Sequence, residues 1–255
     1  MKSSIFLSLA TLGIASFLSA ATLTNITTAG VSIADVYLSD AGDTNWAAWN
    51  TTQTGQSSIS ATQSKKAGTG TISDMLPSGG TDVRGTSTTG GYSSTDFTWT
   101  TTDETSNSVA PGSGVITGIF NGTLNSAVGV TFNITDLPTL TGGLLYQVNV
   151  YTTAYYAQGS FNAVIGAGTP TPTQLGNSHT SNKYTDYFSL AYNPDGLSDV
   201  LNITFADNRS HSNTNNFDHV AIQAVAISVI PEPSSFAMVL GTFALLFAFR
   251  KHSRR

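Results

Sequence analysis

The chain has 255 residues, no cysteine and a formal net charge of −5. Without thiols it has no disulfides, thiolate metal sites or cysteine nucleophiles, so its fold must be held by its core alone. Residues 22–230 carry five cations (Lys65, Lys66, Arg84, Lys183, Arg209) against 14 acids, a net charge of −9, which excludes the basic footprint that nucleic-acid binding needs.

The first predicted element is an export signal. Met1-Lys2 is a short positive start, Ile5 to Leu18 is an apolar stretch, and Ser19-Ala20-Ala21 fits a small-x-small cleavage site. The expected mature chain therefore starts at Thr22, and residues 1–21 are read as a signal peptide. The 209 residues that follow, 22–230, suffice for one domain with a well-buried core.

The early body is rich in Thr, Ser, Gln and Gly, and residues 50–64 and 78–95 fit either long loops or edge strands. Asp35, Asp40 and Asp43 are candidate hard-oxygen ligands for a structural calcium, although Asp40-x-x-Asp43 around Gly42 is also an ordinary turn. Trp46 and Trp49 follow, three apart in a short segment. From residue 140 onward the periodicity is two. Tyr146, Val148 and Val150 alternate with Gln147 and Asn149, and Phe161, Ala163 and Ile165 alternate with Asn162 and Val164. Tyr184, Asp186, Phe188, Leu190 and Tyr192 form one predicted face. Leu201, Ile203 and Phe205 form another, and Val220, Ile222, Ala224 and Ala226 a third. Turn signals separate these runs at 141–143, 158–159, 166–172 and 193–196. Short strands at this spacing, with no long amphipathic helix in the body, predict an all-β sandwich of jelly-roll type.

Polar constellations that would mark an enzyme are sparse. There is no G-x-S-x-G elbow and no H-E-x-x-H. Asp103-Glu104 reads as a solvated turn. Asp207, His211, Asp218 and His219 share one short polar segment, and their spacing matches no metal pattern. Aromatic faces can stack on sugar rings, so Trp46, Trp49, Tyr155 and Tyr156 are the candidate glycan contacts. Core packing is the competing use of such rings. Because Tyr155 and Tyr156 are adjacent, a strand would turn one of them outward.

The chain ends in three signals in order. Pro231-Glu232-Pro233 comes first, then the uncharged run Ser234 to Phe249, then the basic cluster Arg250, Lys251, Arg254 and Arg255. As a helix the run would be roughly 24 Å long at about 1.5 Å per residue, near the lower limit for a membrane span. The basic cluster predicts that the C-terminus stays on the cytoplasmic side.

This tail, residues 231–255, resembles the PEP-CTERM sorting signal of Gram-negative bacteria. The resemblance implies that a membrane-embedded exosortase-type protease recognises Pro231, Glu232 and Pro233, cuts the tail and passes the protein toward the cell surface or exopolysaccharide. The body has a second resemblance. Trp46-x-x-Trp49, Lys65-Lys66-Ala67-Gly68, Phe97-Thr98-Trp99, Gly118-Ile119-Phe120 and Tyr151-x-x-Ala154-Tyr155-Tyr156 are similar in outline to an extracellular module of Planctomycetes and Verrucomicrobia surface proteins, like galactose-binding jelly rolls. That likeness implies a fold more than an activity. The expectation is an exported, non-enzymatic envelope or exopolysaccharide-associated protein with weak glycan binding. A polysaccharide hydrolase or lyase, and a permanently anchored structural protein, are the alternatives.

Overall fold

The computed structural model describes residues 21–25, 31–33, 35–38, 44–49, 53–64, 69–85, 96–99, 112–115, 118–121, 128–178, 185–208 and 219–231. In chain order the strands are β1 (Thr22–Asn25), β2 (Val31–Ile33), β3 (Asp35–Tyr37), β4 (Asn45–Ala48), β5 (Gln63–Ser64), β6 (Thr71–Ile72) and β7 (Leu76–Ser78). They continue as β8 (Val83–Gly85), β9 (Asp96–Trp99), β10 (Gly112–Val115), β11 (Ile119–Asn121), β12 (Gly129–Thr135) and β13 (Leu144–Tyr155). The last five are β14 (Gln158–Ile165), β15 (Gln174–Ser178), β16 (Thr185–Asn193), β17 (Leu201–Asp207) and β18 (His219–Pro231).

The strands form two large antiparallel sheets and one small one. The larger sheet runs β1-β16-β13-β18-β11-β8, with β2 added on β16 and β4 on β18. The second runs β15-β14-β17-β12-β6, with β7 also on β12. From β11 onward the chain moves between these two sheets at every step except β14 to β15. The core lies between them. Val130, Phe132 and Ile134 of β12, Phe161 and Ala163 of β14, and Leu201, Ile203 and Phe205 of β17 meet Tyr146, Val148, Val150, Phe188, Leu190 and Tyr192 of the opposite sheet. On β12 and β17 the alternating Thr131, Asn133, Asn202 and Thr204 are only partly buried, as one solvated face requires.

Phe188 sits at the centre of this core. It stacks on Phe161 at 4.7 Å and meets Phe205 at 5.7 Å. Two glycines make room for Phe205. A Cβ on Gly159 would overlap the Phe205 ring, and one on Gly129 would strike the backbone of Phe205 and Ala206.

The larger sheet is covered on its second face as well. The small sheet β10-β9-β3, in which β3 and β9 pair in parallel, brings Val36, Leu38 and Phe97 against Trp46, Ala48, Tyr151, Ala224 and Ala226. This corrects the expected single face of Val220, Ile222, Ala224 and Ala226. A register shift in the β13–β18 ladder pairs Tyr151 with Ala224 and Thr152 with Ile222, leaving Gln223 as the extra residue. Val220, Ile222, Val225 and Ile227 therefore face the main core, while Ala224 and Ala226 face the small sheet. The bulge lies where β18 changes neighbours. Ala224 to Ile227 pair with β4, and Ala221 and Ile222 pair with β11. Gln223 itself stays satisfied: its carbonyl accepts from Trp49 N–H at 2.9 Å and its side chain accepts from Thr185 Oγ1 at 2.8 Å.

The composition-poor segment 50–64 is partly structured. Ile59 forms a bridge to Met75, Gln56 a bridge to Val83, and Ile59, Met75 and Val83 join the main core.

Burial raises the pKa of three phenols, Tyr146, Tyr151 and Tyr192, and is expected to weaken the fold at alkaline pH. Tyr192 is 1 % exposed, and among the described residues its hydroxyl has no hydrogen-bond partner. Burial, then the charge of Asp199 and the neighbouring Tyr146, push its pKa up. Burial, then Tyr187, push Tyr151 up. In the unfolded chain both ionise near pH 10, so above that pH the unfolded state sheds protons that the fold retains. Their contribution is complete below about pH 10 and falls as pH rises above it, by up to about 1.4 kcal/mol per pH unit for each phenol. A Tyr192→Phe chain is expected to match the parent at pH 7 and to lose less stability at pH 11, measured by urea unfolding.

Candidate functional site

The ladder between β13 and β18 gives the domain two distinct ends. It begins at Leu144 opposite Pro231 and finishes at Tyr155 opposite His219. At about 3.3 Å per residue these ends are roughly 35–40 Å apart. Thr22 pairs with Asn193, and Tyr192 with Tyr146, so the start of β1 lies at the Pro231 end. The two termini of the described domain thus share one end, and the Tyr155 turn lies at the other.

The Tyr155 end carries a row of aromatic rings from neighbouring strands. Phe120 of β11 lies 4.3 Å from His219 of β18, His219 lies 5.5 Å from Tyr155 of β13, and Tyr155 lies 4.6 Å from Tyr156. Phe120 and His219 are buried, and the two tyrosines are half-buried. Tyr156 departs from the sequence expectation. It is not on a strand but in the two-residue turn to β14, with φ of 47°. That left-handed backbone is unfavourable for a bulky residue. It lets the ring pack edge-on against Tyr155, at an interplanar angle of 77°, instead of pointing to the opposite face.

A polar run borders the same turn. Asn208 Nδ2 donates to Gln158 Oε1 at 3.1 Å, and Gln158 Nε2 donates to the Gly176 carbonyl at 3.0 Å. The buried Asp186 carboxylate accepts from Asn177 N–H at 2.9 Å and from Asn177 Nδ2 at 2.7 Å. Rings with partly open faces beside amide groups suit a ligand that has both apolar C–H faces and hydroxyls.

Asn121 fastens this end of the sandwich. It is 3 % exposed, and its Nδ2 donates to the Gly79 carbonyl at 2.7 Å and the Gly129 carbonyl at 2.8 Å. An Asn121→Ala chain, which loses both of these hydrogen bonds, is expected to lose about 1–3 kcal/mol of stability by urea denaturation.

The tryptophans are core residues, contrary to their candidacy as glycan contacts. Trp46 is 1 % exposed and packs under the small sheet. Trp49 is fully buried in the main core, 5.6 Å from Phe132. They sit on opposite faces of the larger sheet, so they could not form one platform. Phe120 was missed because only the β11–β18 pairing, across about a hundred residues, brings it to the tyrosines. His219, which the sequence places in a polar segment with no metal-ligand spacing, joins the aromatic row.

Of the proposed calcium ligands, Asp35 is on β3 opposite Asp96, while Asp40 and Asp43 lie outside the described residues. Among the described residues no group of three metal-ligating side chains occurs. Asp207 ends β17 and His219 begins β18, whereas His211, Asp218, Asp103 and Glu104 lie outside the described residues. Pro231 is the exposed last residue of β18. Glu232, Pro233, Arg250, Lys251, Arg254 and Arg255 lie outside the described residues, as do residues 1–20. No helix among the described residues is long and apolar enough to cross a membrane. Comparison with protein-family models, curated proteins and solved structures returns no match.

Proposed function

We propose that this is an exported, non-enzymatic protein of the cell envelope or exopolysaccharide, delivered by a PEP-CTERM-like tail and holding matrix glycan weakly at its Tyr155 end. The observation that carries the reading is the polarity of the domain. The tail leaves from one end of β18, and the half-open tyrosine pair sits at the other. A domain tethered at Pro231 would hold that pair away from the membrane, toward the matrix. The fold class we assign is the jelly roll. What supports it is the order β11-β18-β13-β16 in one sheet against β12-β17-β14-β15 in the other, the arrangement of eight strands wound as two Greek keys.

The delivery steps follow from the sequence. The signal peptide starts export, the apolar run halts in the inner membrane with the basic cluster inside, and Pro231-Glu232-Pro233 faces an exosortase-type enzyme. Mass spectrometry of the protein recovered from the host's surface fraction tests this reading. A mature chain starting near Thr22 and ending near Pro231–Pro233 is expected. Recovery of the whole tail in membranes alone would favour a permanent anchor instead.

A further inference from the structure

We infer that the folded sandwich gates its own processing, because it holds the first residue of the sorting motif inside a sheet. The inference rests on the sorting reading above. Pro231 is paired with Leu144, and Ile230 with Leu145. Only Glu232 and Pro233 separate this ladder from Ser234, where the uncharged run starts. An enzyme in the membrane that binds Pro231-Glu232-Pro233 as a continuous peptide meets a motif whose first residue is engaged with β13.

The same ladder shows which part can open. Among the described residues, β4 pairs with β18 only as far as Ile227, so Ser228 to Pro231 are held by β13 alone. Proline supplies no N–H to the outermost pair. Leu144 is 38 % exposed, Pro231 is exposed, and Leu145 and Ile230 are only half-buried, so parting the two outermost pairs uncovers little apolar surface. The next pair is different. Tyr146, opposite Val229, is 1 % exposed, and its hydroxyl donates to the Pro138 carbonyl at 3.0 Å. Opening therefore stops at Tyr146. Releasing Ile230 and Pro231 gives the motif about 7 Å of additional reach at about 3.3 Å per residue. The Leu144–Pro231 and Leu145–Ile230 pairs are thus a latch between domain and tail, and Tyr146 is its stop.

Pulse–chase of the full-length chain in its host tests the latch with two opposed variants. Six Gly/Ser residues inserted between Ile230 and Pro231 free the motif without touching the sandwich, and the mature form is expected several-fold sooner. Leu145→Cys with Ile230→Cys, in a chain that has no other cysteine, closes the latch covalently. The cross-linked form is expected to mature several-fold more slowly and to recover on reduction. Maturation of both variants at the parent's rate would overturn the latch and leave the sorting reading standing. A parent chain that never matures would overturn the sorting reading and the latch together.

Discussion

A Phe188→Ala chain is expected to unfold with about 3–5 kcal/mol less free energy than the parent. Phe188 is fully buried, lies nearly parallel to Phe161 at an interplanar angle of 6°, and contacts Phe205 from the facing strand β17. Removing its ring leaves a cavity between two sheets that are each pinned by long ladders, so neither can collapse to fill it. In a domain of this size a loss of 1 kcal/mol lowers the melting temperature by roughly 2–4 °C, so a fall of about 10 °C is expected by calorimetry. Phe188→Leu keeps much of the volume and should cost less than half as much. Equal losses for Leu and Ala would mean that the stacked geometry, not the filled volume, is what matters.

If the proposed sorting tail inserts in the membrane, changing Arg250, Lys251, Arg254 and Arg255 together to Ser is expected to disrupt the orientation of the precursor. These four supply most of the charge after an uncharged run that is near the lower limit for a span. Their removal lets the tail slip through or insert either way. Reporter fusions at the C-terminus should move from a cytoplasmic signal to a mixed or exported one, and mature protein at the surface should fall. Unchanged reporters would mean that the positive cluster does not set topology in this chain.

How much of this was legible in the sequence depended on which faces of a strand are buried. β12, β14 and β17 have one solvated face, so apolar and polar residues alternate and their core sets could be read directly. β4 reads Asn-Trp-Ala-Ala, followed by Trp49, and shows no alternation because both of its faces are covered. The sequence therefore left the two tryptophans open to either use, core packing or glycan contact. The layer that covers Trp46 is built on a parallel contact between β3 and β9, about sixty residues apart, and no local pattern announces it. β18 was read in the right place, but the bulge at Gln223 moves Ala224 and Ala226 to the other face. Tyr155-Tyr156 was singled out as a pair, but the turn beside it lies at 156–157 rather than at the 158–159 signal, which is in β14. Its geometry was not readable, because Tyr156 adopts a backbone conformation that glycine or asparagine normally supplies.

That unusual backbone also gives a clean variant for testing the proposed glycan site. Tyr156→Gly removes the ring while suiting the left-handed turn, so loss of binding would not reflect loss of fold. Two rings worth about 0.5–1.5 kcal/mol each amount to roughly a tenfold change in affinity. The most direct measurement is binding of a chain trimmed to residues 22–231 to the host's purified exopolysaccharide, with and without calcium, beside a Tyr155→Ala, Tyr156→Gly variant whose melting curve shows it folded. Saturable binding by the parent, weakened about tenfold in the variant, is the expected result. No binding in either condition, or equal binding by both chains, would contradict a glycan site at the Tyr155 end.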